Sequence, residues 1–167
     1  MGPVRPINSI PELFAHALAI EREARLRYLE FGRRMMDHDN PEVAELFMRL
    51  ARNEIEHATR LEELAAGMEL PQIDRAQYAW LDAGAPETAA HDFIWIFMRP
   101  YHVLQVALRA ERRAREFFES VGSADVDGEV RALAAEFARE EQAHVEWVEA
   151  ALALENAPYP DWDTASE

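Results

Sequence analysis

The sequence predicts an all-α fold, a four-helix bundle made of two antiparallel helix hairpins joined by a long crossover. Three observations support this prediction. Helix-start and helix-stop residues divide the chain of 167 residues into four long segments with apolar stripes of helical period. The links within each pair of segments are short, whereas about 32 residues separate the second segment from the third. The two halves of the chain also repeat one another.

Capping residues set the predicted bounds of each element. The first two helices begin at Ser9 and Asn40, N-cap residues that are followed by proline within two positions. The helices are predicted at about residues 9–38, 40–67, 100–122 and 129–155. The predicted organisation is an N-terminal tail at 1–8, a bundle at 9–156 with its crossover at about 68–99, and a C-terminal tail at 157–167.

Composition excludes several classes of function. The net charge of −15 argues against a nucleic-acid or anionic-membrane partner. The chain has no cysteine, which excludes disulfides, thiolate metal sites and a cysteine nucleophile within it. The first residues, MGPVRPINSIPELF, have no apolar signal core, so a cytoplasmic location is expected. The apolar run FIWIFM at 93–98 is too short to span a membrane and is expected to pack the crossover or form a dimer interface.

An internal repeat relates the two predicted hairpins. The segment ALAIEREARLRY at 17–28 aligns with ALRAERRAREFF at 107–118, and ARNEIEHATRLE at 51–62 aligns with AREEQAHVEWVE at 138–149. Each copy therefore has one Glu on its first helix and the pattern E-x-x-H on its second. The residues concerned are Glu21, Glu54 and His57 in the first copy, and Glu111, Glu141 and His144 in the second.

These six residues interrupt the apolar stripes near the middle of every helix. The stripe of the second helix, for example, passes from Leu50 through Glu54 and His57 to Leu61 and Leu64. Residues at i and i+3 lie on one helix face, so each E-x-x-H pair can address a single point. Buried carboxylates need compensating charge, and two divalent cations would balance four of them. Oxygen and imidazole donors suit iron or manganese.

The alternative is a polar bundle core in which histidines and glutamates satisfy one another by hydrogen bonds. E-x-x-H alone is a weak signal, because a Glu-rich chain contains such pairs by chance. The recurrence of both pairs in register, on apolar stripes and behind a matching Glu, favours a two-metal site. One Glu from each of two helices and Glu-x-x-His from each of the other two form the di-iron carboxylate ligand set.

The motifs resemble those of the rubrerythrin family in the ferritin-like superfamily. They are E-x-x-A-x-x-x-Y at 21–28, E-x-x-H at 54–57, E-x-x-A-x-x-x-F at 111–118 and E-x-x-H at 141–144. The resemblance implies a non-haem di-iron centre that reacts with hydrogen peroxide or dioxygen. It also implies that Glu54 and Glu141 bridge the irons, that Glu21 and Glu111 are terminal ligands, and that one histidine binds each iron.

The chain departs from rubrerythrin proper in two respects. It has no Cys₄ rubredoxin-type domain, so an external electron donor is expected. The additional Glu three residues after the helix 3 ligand is replaced by Ala114. Three functions stay open: a peroxide- or dioxygen-reducing oxidoreductase that oxidises Fe(II), a ferroxidase or iron-storage protein, and a non-catalytic metal-binding bundle. Manganese or zinc could replace the two iron ions, and a homodimer is expected.

Several other polar residues lie on or near the predicted helices. Tyr28 lies on the stripe, where tuning of the cluster and simple filling of the core are both compatible with the sequence. His102 lies more than two turns from Glu111 and is expected at the surface or an interface. Glu140 is one position off the stripe and is expected to be exposed, like Glu56. The remaining histidines are expected to be solvated: His16, His38 and His91.

Overall fold

The structure is a computed structural model that describes residues 7–73 and 98–155. These residues form four long helices and, within the described ranges, no strand. The predicted all-α class is therefore confirmed. The helices are α1 (Ile10–Asp37), α2 (Pro41–Leu64), α3 (Pro100–Ser123) and α4 (Gly128–Leu154).

Side-chain caps fix the N-terminus of three of the helices. Ser9 accepts from the Glu12 amide at 3.3 Å at the start of α1, and Asn40 accepts from the Val43 amide at 3.4 Å at the start of α2. Asp127 accepts from the Glu129 amide at 2.8 Å before α4. Each contact satisfies an amide that has no partner within its own helix.

Two apolar clusters show how the helices run. One cluster joins the N-terminal halves of α1 and α4 to the C-terminal halves of α2 and α3. The other joins the opposite halves of the same four helices. Each hairpin is therefore antiparallel, whereas α2 runs parallel to α3. The chain leaves α2 at one end of the bundle and enters α3 at the other, as the predicted long crossover requires.

One hydrogen bond ties the entry of α3 to the turn between α1 and α2. Asn40 Nδ2 donates to the Met98 carbonyl at 2.7 Å, so a single side chain both caps α2 and holds the start of the second hairpin. Asp39 precedes it with a φ of 54°, in the left-handed region that a tight turn between helices uses. This contact fixes one end of the bundle.

Most of the predicted crossover lies outside the described residues, including the FIWIFM run except for Met98, so the expected packing of that run stays a prediction. Ile7 precedes α1 and is 3% exposed, packed in the first apolar cluster.

Among the described helices, none is long and apolar enough to cross a membrane.

Two sequence expectations about individual side chains were wrong. Leu64, assigned to the buried stripe, is 52% exposed because α2 ends at this residue; Ala65, one position later, is buried instead. His16, expected to be solvated, is 8% exposed and packs beside Phe117, 5.7 Å between ring centroids. Burial lowers the pKa of His16, which favours its neutral form.

Candidate metal centre

The six stripe-interrupting residues lie at mid-length of the bundle, between the two apolar clusters. Because each of the four helices continues its apolar stripe on both sides, the polar side chains are held in the interior. The carboxylates of Glu21, Glu54 and Glu141 are accordingly buried, with 4–7% of each residue exposed. Burial of three acids in one place needs a compensating charge.

The first hairpin assembles one group of three donors. Glu21 on α1 and Glu54 and His57 on α2 place one potential ligand atom each within 4.8 Å of the others. His57 Nδ1 lies 3.7 Å from Glu21 Oε2 and 3.7 Å from Glu54 Oε2. The i,i+3 spacing within α2 brings the imidazole and the second carboxylate to one face, as the sequence predicted.

The second hairpin repeats this geometry. Glu111 on α3 and Glu141 and His144 on α4 form the second group of three. His144 Nδ1 lies 3.4 Å from Glu111 Oε2 and 3.3 Å from Glu141 Oε2. The internal sequence repeat is therefore a repeat of donor geometry as well.

The two groups adjoin through their histidines. The rings of His57 and His144 are stacked, with centroids 4.2 Å apart and planes 4° apart. Glu54 and Glu141 each act on both terminal carboxylates, since their charges raise the pKa of both Glu21 and Glu111. The six residues thus form one cluster with two halves.

The distances within each half are compatible with donors that share one metal ion. Donors held at about 2.1 Å from one ion lie about 3.0 Å apart at a right angle and about 3.4 Å apart at a tetrahedral angle. The imidazole–carboxylate separations are 3.3 and 3.4 Å in the second half, within this range, and 3.7 Å in the first half, slightly above it. The His57 Nδ1 atom is also buried and has no hydrogen-bond partner among the described residues.

Burial dominates the titration of the terminal carboxyl groups. It raises the pKa of Glu21 well above the usual value, although the nearby His57 opposes the rise. It raises the pKa of Glu111 to about 7, with His144 again opposing. Both carboxyl groups therefore hold protons more strongly than exposed glutamates do, unless a cation replaces the proton.

The neighbouring carboxylates raise the pKa of both imidazoles. Glu21 and Glu54 raise the pKa of His57 to about 10. Burial disfavours the charged form of His144, but Glu111 and Glu141 outweigh it and raise the pKa of His144 to about 10. Without metal, protons on the imidazoles and carboxyl groups thus offset the negative charge of the site. Divalent cations bind neutral imidazole and ionised carboxylate, so metal binding must displace these protons.

Comparison with protein families supports the same interpretation of the ligand set. The Rubrerythrin family model matches residues 12–89, and the model described as Ferritin-like domain matches residues 100–166. The first match contains Glu21, Glu54 and His57, and the second contains the other three donors. The first hairpin is therefore similar to rubrerythrins and the second to ferritin-like domains. No curated protein and no solved structure gives a significant match.

Tyr28 lies beside the cluster of this rubrerythrin-like chain. It is 2% exposed, and its hydroxyl has no hydrogen-bond partner among the described residues. Burial, followed by the charges of the four carboxylates, raises its pKa well above the usual value, so the phenol stays protonated. A protonated hydroxyl near carboxylates is a hydrogen-bond donor available to a ligand.

Each hairpin also carries an equivalent ion pair next to its ligands. Arg22 contacts Glu62 at 2.7 Å, and Arg112 contacts Glu149 at 2.6 Å. The arginines follow the α1 and α3 ligands directly, and the glutamates lie five residues after the histidines. All four side chains are about half exposed, so these pairs are weak contributors to stability.

A cavity of about 220 Å³ borders the cluster on one side. Glu21, Glu141 and both histidines line it, so it reaches both halves of the site. Its other lining residues are apolar side chains and one ion pair: Ala17, Arg60, Leu61, Phe118, Phe137, Glu140 and Ala143.

Sequence reasoning missed the Arg60–Glu140 ion pair at this cavity. Arg60 contacts Glu140 at 2.8 Å, linking α2 to α4. Glu140, expected to be exposed, has 34% of its side chain exposed and lines the cavity. A signal was present, since Arg60 is three residues after His57 and Glu140 is four before His144. Both spacings place the side chain one turn from a ligand.

The remaining histidines do not join the site where the structure describes them. His102 Nδ1 accepts from the Arg99 amide at 3.0 Å and so caps the start of α3, as a surface or capping residue rather than a ligand. Burial lowers the pKa of His102. His91 lies outside the described residues.

Proposed function

We propose that this rubrerythrin-like protein is a di-iron oxidoreductase that reduces hydrogen peroxide or dioxygen with oxidation of Fe(II). The observation that carries the proposal is the convergence of two Glu₂His groups through the stacked rings of His57 and His144. A bound pair of iron ions supplies two electrons at one place, which is what reduction of either oxidant requires. Peroxidase and oxidase chemistry share this site.

Each side chain has a role that its position supports. Glu54 and Glu141 act on the terminal carboxylates of both halves and are the candidates for bridging ligands. Glu21 and Glu111 hold one ion each, and the Nδ1 atoms of His57 and His144 complete the two halves. The carboxylates neutralise the ions, so the loaded site buries no net charge.

The apolar clusters on either side bury most of the carboxylates, whereas the side chains of His57 and His144 are 32% and 29% exposed. Tyr28 lies on the side of the second apolar cluster, and its protonated hydroxyl would be available to donate to a carboxylate that holds metal. The cavity on the other face gives access for a small oxidant. The electron donor is external, because the chain contains no cysteine for a rubredoxin-type iron centre.

Ferroxidase activity in iron handling is the second candidate. It uses the same six ligands, and it needs no electron donor because Fe(II) itself is the substrate. The absence of a cysteine-ligated centre in this chain favours it over multiple-turnover peroxide reduction. The two functions differ in the fate of the iron, which leaves the site in the ferroxidase and is re-reduced in the oxidoreductase.

The test is anaerobic loading with Fe(II) followed by mixing with peroxide or with dioxygen in parallel. Loss of Fe(II) is followed with a ferrous chelator, in the wild type and in Glu54→Ala, with the exposed Glu56→Gln as a matched control on α2. The proposal expects fast oxidation by at least one oxidant, retained in Glu56→Gln and lost in Glu54→Ala. Undiminished oxidation in Glu54→Ala would contradict the proposed di-iron site. Recovery of the oxidised iron as a large mineral particle would favour the ferroxidase.

A further inference from the structure

The cavity beside the cluster is larger than peroxide or dioxygen needs. One water occupies about 30 Å³ in the liquid, so 220 Å³ corresponds to about seven such molecules. Peroxide and dioxygen have two heavy atoms each. The cavity therefore has room for an organic molecule of several heavy atoms in addition to a small oxidant.

The floor of the cavity is apolar and rigid. Ala17, Leu61, Phe118 and Phe137 are each no more than 7% exposed and belong to one packed core cluster. The rings of Phe118 and Phe137 meet edge to face, with centroids 5.3 Å apart and planes 68° apart. Such a wall favours a hydrocarbon or an aromatic ring over a polar ligand.

The exposed side of the cavity carries the Arg60–Glu140 ion pair. Arg60 has 62% of its side chain exposed and lines the cavity together with its partner Glu140. A guanidinium has five N–H donors in a planar fork, so one contact to Glu140 does not use up its capacity for a carboxylate. The cavity thus has an anion-binding end at the solvent and an apolar end near the cluster.

The pseudo-symmetry of the fold is broken at this cavity. The repeat mates of Phe118 and Arg60 are Tyr28 and Trp147, so the opposite face of the cluster has a phenol in place of the phenyl ring and an indole in place of the guanidinium. Tyr28 is packed to 2% exposure, whereas Trp147 is 53% exposed. The combination of apolar lining residues with Arg60 is therefore found on one of the two pseudo-symmetric faces of the cluster.

We infer that this cavity binds a small organic carboxylate, with the carboxylate on Arg60 and the apolar body against Phe118 and Phe137, next to the metal cluster. The inference rests on the proposed metal site, because Glu21 and Glu141 repel an anion unless cations neutralise the cluster. Binding therefore depends on metal loading. The ligand's carbon end lies toward the cluster and its charged end lies at the solvent.

The test is calorimetric titration of zinc-loaded protein, in which zinc is redox-inert and the readout is binding rather than activity. Benzoate is the probe, acetate lacks the apolar body, and benzyl alcohol lacks the charge. Arg60→Gln removes the cation. Arg112→Gln is the control, because it also breaks an exposed arginine–glutamate ion pair, but one that lies away from the cavity. Ala143→Leu narrows the cavity from an exposed helix position.

The inference expects benzoate to bind more tightly than acetate or benzyl alcohol, and to weaken about tenfold or more in Arg60→Gln. Ala143→Leu should also weaken it, whereas Arg112→Gln should not. If the protein binds two zinc ions per chain but no benzoate, the proposed carboxylate site is wrong and the metal site stands. Equal benzoate affinity in Arg60→Gln would also overturn it, since the carboxylate would then be binding zinc directly. Failure of zinc to bind would overturn the metal site and the pocket together.

Discussion

His57 and His144 stack face to face with their ring centroids 4.2 Å apart, although 87 residues separate them in the chain. Each imidazole belongs to a different hairpin, and each has its Nδ1 atom 3.3–3.7 Å from two carboxylates of its own hairpin. The stack is therefore the place where two copies of one repeat become a single cluster. Its electrostatics and its neighbours lead to the following predictions.

The stability of the metal-free protein should fall as pH rises. The folded-state pKa of Glu111 is raised to about 7, and those of His57 and His144 are raised to about 10. A raised pKa means that the folded state binds protons more tightly than the unfolded state does. This stability is present at low pH and is lost through about pH 7 for the carboxyl and about pH 10 for the imidazoles.

Thermal unfolding of chelator-treated protein from pH 6 to pH 9 measures this effect. We expect Tm to fall across the range, and to fall less in metal-loaded protein, where cations replace the protons. Metal binding should also release protons, visible as a dependence of the binding heat on buffer ionisation. A Tm of the metal-free protein that does not change with pH would contradict the assigned couplings.

Replacement of a terminal carboxylate should abolish metal binding in its half of the site. Burial disfavours the charged form of Glu21, and Glu21→Gln puts an uncharged side chain of the same size in its place, so the Tm of the metal-free protein should stay equal or rise. The metal content should fall from two ions per chain to one or fewer. Glu56→Gln, exposed on α2, is the control and should change neither quantity. Two ions per chain in Glu21→Gln would count against its role as a ligand.

Removal of the Tyr28 hydroxyl should stabilise the metal-free protein. The hydroxyl is buried with no hydrogen-bond partner among the described residues, and such a group costs about 1–3 kcal/mol. Tyr28→Phe should therefore raise Tm by a few degrees. Tyr101→Phe is the contrasting variant, because the Tyr101 hydroxyl accepts from Gln105 Nε2 at 2.8 Å and its loss should not stabilise.

In the metal-loaded protein, Tyr28→Phe also tests whether Tyr28 tunes the metal cluster or only fills the core. If the hydroxyl donates to the cluster, Tyr28→Phe changes the rate of Fe(II) oxidation while the metal content stays the same. We expect such a change. Identical oxidation rates in Tyr28→Phe and the wild type would leave Tyr28 as a core residue.

The ion pairs beside the ligands should contribute little to stability. Arg22–Glu62 and Arg112–Glu149 are short but about half exposed, and exposed pairs contribute about 0–1 kcal/mol. A double-mutant cycle with Arg22→Gln and Glu62→Gln should give a coupling within that range and leave metal content unchanged. A coupling well above it would mean that the pair positions Glu21, the residue next to Arg22.

The sequence predicted the fold and the grouping of the six Glu and His residues because both depend on local signals. Caps such as Ser9 and Asn40 set helix starts, and E-x-x-H within one helix sets a donor pair. The parallel arrangement of α2 and α3 followed from the length of the link between them. Each of these features can be predicted without knowing which helix surfaces contact one another.

The features that escaped prediction depend on contacts between helices. Arg60 and Glu140 lie on different hairpins, and no spacing along either helix shows that they meet at 2.8 Å. The burial of His16 depends on Phe117, 101 residues later in the chain. Leu64 continues the apolar period of α2, but the helix ends there, so its side chain has no neighbouring helix surface to contact.

The most direct test of the metal centre is an anaerobic titration with Fe(II), with the metal retained per chain measured after removal of the unbound ion. The wild type should saturate at two ions per chain. The double variant His57→Ala with His144→Ala should lose this binding, whereas His102→Ala, which alters a helix cap, should keep it. Absence of saturable binding in the wild type, or two ions per chain in the double variant, would contradict the account.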